Sequence, residues 1–266
     1  MIESFLLKLV TGITLMWLLM PRKEVTDGFF RIQMLVALAL CVLLVLVMQS
    51  GNTPQATDSV TNALTTGLRT QTGNQFIRCA QFIAAVIAFA GHIVWKLGRR
   101  RPGAVAIYAV AVLCLLSLVT ASLAGGVDFD SLNLLLSDLA SAAVLGATLT
   151  GMLLGHWYLT TPTMSIGPLS WFTKALAVAA VARLLMTSLS LFRFGFISHD
   201  LVHLLWLIVR IVGAILVPFA TAVVVARILK YRNTQSATGV LFASLILVFM
   251  GEMTAALLER DLRIPY

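Results

Sequence analysis

Eight long apolar runs, with most of the charge confined to the segments between them, constrain this chain more than any other feature. One is Ile32–Gln49, IQMLVALALCVLLVLVMQ; another, Leu201–Ala226, carries a single arginine at its middle. A helix rises about 1.5 Å per residue and the bilayer's hydrocarbon core is about 30 Å thick, so roughly 20 apolar residues cross it. The runs fall at Phe5–Met20, Ile32–Gln49, Phe76–Lys96, Ala104–Ala124, Leu132–Leu159, Leu169–Phe192, Leu201–Ala226 and Thr238–Leu258. No soluble fold needs eight such segments in 266 residues. Composition agrees: 11% of residues are charged, against about 25% in a soluble domain. The expected fold is all-α, a polytopic integral membrane protein with a bundle of about eight transmembrane helices in a single domain over 1–266. The first run resembles a signal peptide in position. It carries Glu3 beside Lys8 and ends in Met-Pro-Arg-Lys without a small-residue cleavage site, so a retained helix is expected.

Charge between the runs sets an expected orientation. Arg22, Lys23 and Arg31 follow the first run, Lys96 and Arg99–Arg101 the third, and Arg227, Lys230 and Arg232 the seventh. With eight spans these loops share one side, and the positive-inside rule assigns it to the cytoplasm. Both termini then lie outside, as in a bacterial inner-membrane protein. The alternate loops are poorer in cations: Ser50–Gln75 has only Arg69, and Gly125–Ser131 carries Asp128 and Asp130. A net charge of +8 is then anchoring charge facing anionic lipid, and it requires no nucleic-acid partner. The longest loop leaves no room for a separate catalytic domain, so any chemistry is expected within the bundle or its short loops. Cys41, Cys79 and Cys114 sit within or at the ends of apolar runs, form no CxxC pair and read as small apolar residues.

Ionisable groups inside hydrocarbon are costly, and each is a functional-site hypothesis. The spacing predicts two layers. The outer holds Asp138, Arg183, Arg210 and Glu252 on spans five to eight, a balanced set that reads either as an ion-pair network locking those spans together or as an anion, quinone or proton site. The inner holds His92, His156 and Lys174. Asp138 and His156 are 18 positions apart, about five turns, and so share a face of their helix with Ser141. Gln81 and His92, with Arg78 near the same line, mark a polar stripe on span three. His203 and Arg210 mark another on span seven.

Two helices carry Gly-His followed closely by Trp: Gly91-His92-Ile93-Val94-Trp95 and Gly155-His156-Trp157-Tyr158. Spans three and five run in the same direction, and both histidines lie near the same end. That pattern suits bis-histidine ligation of a b-type haem iron by His92 and His156, with Trp95 beside the site and Lys174 or Arg99–Arg101 meeting the propionates. A quinone headgroup against one histidine, or an interfacial aromatic belt with no cofactor, fits the same residues. Arg78 and Ala142 occupy the positions where a second haem's ligands would stand. The eight-helix plan resembles the quinol-handling subunits of bacterial respiratory enzymes, although no motif carries residues across.

Two further segments stand out. Gly155–Leu169, GHWYLTTPTMSIGPL, is uncharged and reads as a turn bounded by Pro162 and Pro168, or as a loop lining a headgroup site. His199-Asp200-x-x-His203 has metal-ligand spacing but no evident third ligand, and Asp200 suits a helix N-terminus. No GxGxxG, Walker A or GxSxG motif occurs. The leading functional expectation is a membrane-embedded subunit of a redox complex binding haem b, quinol or both, with other membrane subunits as partners. The alternatives are a transporter of a small solute or protons, and a structural or assembly subunit.

Overall fold

The computed structural model describes residues 1–50, 63–161, 164–195 and 200–262. Its helices in chain order are α1 (Ile2–Leu19), α2 (Asp27–Ser50), α3 (Ala63–Lys96), α4 (Arg100–Ser122), α5 (Phe129–Thr160), α6 (Gly167–Phe194), α7 (Leu201–Ile211), α8 (Val217–Lys230) and α9 (Thr234–Leu262), with a 3₁₀ turn at Arg22–Glu24 and a π-helical turn at Val212–Leu216. No strand occurs among the described residues. Among the described residues eight helices, α7 and α8 counting as one, are long and apolar enough to cross a membrane. The helical termini extend past the apolar runs. The third span, for example, is continuous from Gln71 to Lys96.

Helices α1 and α5 form the centre and are the most buried spans. Two wings pack around them. One is α2, α3 and α4; the other is α6, α7–α8 and α9. The central pair meets at glycine. A Cβ on Gly12 would fall on the Ala142 carbonyl, and one on Gly146 would fall on the Gly12 backbone. Lipid offers helices no hydrophobic reason to associate, so close backbone approach through small residues supplies the contact.

The seventh apolar run reads as one uniform helix, and the structure interrupts it. The amide of residue 218 in an unbroken α-helix would bond the Ala214 carbonyl, but Pro218 has no N–H and its ring crowds that oxygen. The π-helical turn at Val212–Leu216 absorbs the mismatch directly upstream. It also brings span seven against α9 without side chains between them. A Cβ on Gly251 would lie 2.5 Å from the Ala214 nitrogen. Arg210 and Glu252 stand next to this crossing.

Candidate functional site

The five most deeply buried charged residues are Lys8, Asp138, Arg183, Arg210 and Glu252. They come from α1, α5, α6, α7 and α9, and all lie in the half of the bundle away from the Arg22, Arg99–Arg101 and Arg227 end. Counting about 1.5 Å per residue from the nearer helix terminus puts each roughly 9–17 Å deep.

Two clusters make up this layer. In the first, Arg183 grips Glu252 with both forks: Nε stands 2.9 Å from Oε1 and Nη2 stands 3.1 Å from Oε2. Ser141 donates to the same carboxylate. Arg183 Nη1 donates to the Ser137 hydroxyl at 2.7 Å and to its carbonyl at 3.1 Å. The guanidinium is thus fully engaged, the arrangement a buried ion pair needs to offset its desolvation. In the second, Lys8 Nζ lies 2.7 Å from Asp138 Oδ1, and Ser122 donates to Oδ2 at 2.7 Å. Lys8 also faces Glu259 at 3.7 Å, whose side chain is 33% exposed, so this cluster reaches the water-facing edge.

Arg210 differs. It is 0% exposed and, among the described residues, makes one hydrogen bond, Nη2 to Thr187 Oγ1 at 3.1 Å. Its Nε and Nη1 have no partner among the described residues. Thr187 is one turn from Arg183 on α6, so the two arginines hang from the same polar stripe, which continues to Ser190. Among the described residues the buried Ser190 hydroxyl has no partner, and neither do the two amide atoms of Asn133 on α5. The antiparallel register that joins Ser137 to Arg183 carries Asn133 to the level of Thr187 and Ser190. Buried polar atoms are nearly always satisfied by protein, water or ions. Such orphans also occur elsewhere among the described residues, as at Gln33 on α2 and Trp95 on α3; those on α5, α6 and α7 include the Arg210 guanidinium.

Of the charges marked by the sequence, Arg183 and Glu252 pair directly, Asp138 pairs with Lys8, and Arg210 touches no carboxylate among the described residues. Lys8 was not marked as a buried charge, because its place near the chain start reads as flanking charge. Two turns of α1 precede it, and α1 runs through the centre. Glu259 lies just past the eighth run. Ser122, Ser137 and Thr187 are uncharged and carry no signal of their own.

The inner residues are arranged otherwise. His92 is half-buried, and its Nδ1 lies 3.1 Å from the Arg31 carbonyl on α2, to which it donates when protonated there. His156 is exposed. Helix α3 packs mainly on α2 and α4, whereas α5 packs on α1, α4, α6 and α9. No described contact joins the two imidazoles. The glycines before them serve helix packing: a Cβ on Gly91 would lie 3.1 Å from Met34 Sδ and from Ala106 Cβ, and one on Gly155 would press on Thr238. Trp95 stacks on Phe30 with centroids 4.8 Å apart. Lys174 is exposed and lines a groove of about 410 Å³ with Met16, Leu19 and Trp171, away from α3. Asp138 and His156 share an angular position on α5, yet one is buried and the other exposed. Periodicity gives a direction, not the neighbour that fills it.

The Gly155–Leu169 segment is tied to the loop after α1. Trp157 Nε1 donates to Thr26 Oγ1 at 2.8 Å, Ser165 donates to Glu24 at 2.6 Å, and Tyr158 donates to the Ser165 carbonyl. Pro168 opens α6, where its missing N–H costs nothing; Pro162 lies outside the described residues. Asp200 caps α7, accepting from the Val202 amide at 3.1 Å, and His203 faces Asp261 at 3.7 Å. His199 lies outside the described residues. Among those described, no group of three or more His, Cys, Asp and Glu has a metal-holding arrangement. Comparison with protein-family models, curated proteins and solved structures gives no match for this chain.

Proposed function

We propose that this chain is a membrane transporter for a small anion, with Arg210 as the residue that engages it. The carrying observation is the fully buried Arg210 guanidinium, whose Nε and Nη1 lack any acceptor among the described residues. Glu252 and Glu259 attract this guanidinium without accepting a hydrogen bond from it; buried donors with no acceptor are costly, and a fold keeps them where a ligand or water completes them. A carboxylate or inorganic anion supplies what the site lacks among the described residues: acceptors for the Nε and Nη1 donors. Arg183 is committed to Glu252 and acts as a fixed wall. Thr187, Ser190 and Asn133 offer polar steps toward the edge of the bundle, and the Lys8–Glu259 contact connects the neighbouring cluster to water. The π-helical turn two residues beyond Arg210 marks a backbone able to shift register, a frequent companion of functional sites. The transport path is proposed to open on the outer face, with the arginine-rich loops cytoplasmic and both termini outside by the positive-inside rule.

The experiment is anion flux in proteoliposomes, run with chloride, nitrate, acetate and phosphate. Wild-type protein should conduct at least one of them, and Arg210→Met should reduce that flux tenfold or more while the protein stays folded. Equal flux through both proteins, or no flux of any of the four, would remove the reading. Orientation is checked with a single reporter cysteine in a background lacking the native three. Arg100→Cys should resist outside labelling in intact cells, and Asp130→Cys should accept it.

The competing proposal is the redox subunit, with haem b held by His92 and His156 or a quinol at one of them, in a complex with other subunits. It rests on the repeated Gly-His-x-x-Trp and Gly-His-Trp pattern. A Soret band in the purified protein that is lost in both His92→Ala and His156→Ala would favour it over transport.

A further inference from the structure

A cleft of about 330 Å³ opens at the arginine-rich end of the bundle, lined by Arg22, Lys23, Trp95, Arg100, Ala104 and Tyr108. Its mouth holds three cations. Arg22 Nη2 lies 2.6 Å from the Tyr108 hydroxyl, and its guanidinium carbon sits 4.8 Å over the same ring. Arg100 Nε lies 2.8 Å from Asp27 Oδ1. Lys23 is exposed, with no hydrogen-bond or ion-pair partner among the described residues. Three cations against Asp27 leave the mouth with two net positive charges. The inner wall is Trp95, 5% exposed, whose indole N–H has no acceptor among the described residues. Glu24, the other nearby carboxylate, is turned to Ser165 on the far side.

The cleft's shape separates two sources of anion. Arg100, Ala104 and Tyr108 are four apart in sequence and so line one face of α4, running about 12 Å from the helix terminus toward the membrane middle. A free phosphate needs only the mouth. The wall continues two turns inward through Ala104 to Tyr108, whose ring carries Arg22 on one face and is 50% exposed, and this length matches a headgroup with the first part of its acyl chains. We propose that this cleft binds a phosphate group presented by an anionic phospholipid, its oxygens on Lys23, Arg22 and Arg100 and its acyl chains along Ala104 and Tyr108. The site is independent of the transport reading, since it shares no residue with the buried charge layer.

The test uses the whole protein in a neutral detergent. Thermal unfolding and native mass spectrometry are run with dioleoyl phosphatidylglycerol, dioleoyl phosphatidylcholine or inorganic phosphate. Phosphatidylglycerol should raise the unfolding temperature and stay bound in the spectrum, and the other two should do neither. Each Lys or Arg near a membrane surface favours anionic lipid by about a fivefold factor. Lys23→Gln should therefore weaken phosphatidylglycerol binding about fivefold, and Arg22→Gln with Lys23→Gln should weaken it further. Lys23 has no described partner, so the single variant will not fail by unfolding. Lys174→Gln should bind as the wild type does. Equal effects of the two lipids, or no loss in Lys23→Gln, would overturn the proposal. Stabilisation by phosphate alone, with displacement of the lipid, would overturn the lipid assignment and leave a site for soluble phosphate.

Discussion

The two wings of the bundle handle burial in opposite ways. Among the described residues the α2–α3–α4 wing has no buried charged residue; its interior polar contacts are modest, as where Gln81 donates to Ser117 at 3.1 Å and the Cys114 thiol faces Gln81 Oε1 at 3.9 Å. The other wing, with the central pair, holds all five deeply buried charges. Both wings cross the same membrane thickness with similar apolar content, so packing alone does not require the difference. An apolar wing demonstrates that this chain can build buried helix contacts without ions. The proposed transport role assigns the ions on α1, α5, α6, α7 and α9 a task beyond holding helices together, and it rests on the Arg210 donors without acceptors among the described residues.

The largest expected effect separates the wings directly. Glu252→Ala leaves the Arg183 guanidinium buried with its main partner gone, and breaking a buried pair this way costs about 3–5 kcal/mol. Replacing both residues, Arg183→Met with Glu252→Met, should recover most of that loss. In the other wing, Gln81→Leu gives up one neutral hydrogen bond, worth about 1 kcal/mol. Thermal unfolding in detergent ranks the three. If Gln81→Leu proved as damaging as Glu252→Ala, the contrast between the wings would fail.

Next in size is a test of the close crossings. Gly146→Ala drives a methyl into the Gly12 backbone, which has no rotamer with which to yield, and overpacking of this kind costs about 1–3 kcal/mol or more. Gly91→Ala meets Met34 Sδ and Ala106 Cβ at 3.1 Å, and the flexible thioether can move. A smaller loss, below about 1 kcal/mol, is expected there. A comparable drop in unfolding temperature for both would show that the wings are equally rigid at their glycine contacts.

The eight spans were legible because hydrocarbon thickness fixes how long an apolar run must be, and nothing in the sequence competes with that requirement. The charges on spans five to eight were legible as positions for the same reason: a lone Arg or Glu stands out against leucine. Their pairing was not, since pairing depends on which helices become neighbours. Asp138 goes to Lys8 because α1 occupies the centre beside α5, an arrangement that no loop length dictates. The π-helical turn had a signal in Pro218, but a proline in a membrane helix also fits a simple kink, and hydropathy does not distinguish the two. The Gly-His pairs exposed the opposite weakness. Two similar motifs at similar depth suggest a shared ligand, while the structure spends their glycines on separate contacts, Gly91 with α2 and α4, Gly155 with α9.

The smallest expected change in stability is the most discriminating. Arg183 and Arg210 are both buried arginines near Glu252, and a sequence offers no reason to treat them differently. Arg183→Met removes the counter-charge of Glu252 and the two hydrogen bonds to Ser137, so it should destabilise by about 3–5 kcal/mol. Arg210→Met removes a guanidinium with one hydrogen bond, to Thr187, and relieves two nitrogens of burial without partners. Filling its space with an apolar chain of similar length should leave the unfolding temperature unchanged or slightly higher, within about 1 kcal/mol. The two effects then cross: the variant that is easiest on stability is the one that stops anion flux. If Arg210→Met instead unfolded the protein as Arg183→Met does, Arg210 would be a structural member of the ion-pair network, and the charged wing would differ from the apolar one only in how it is held together.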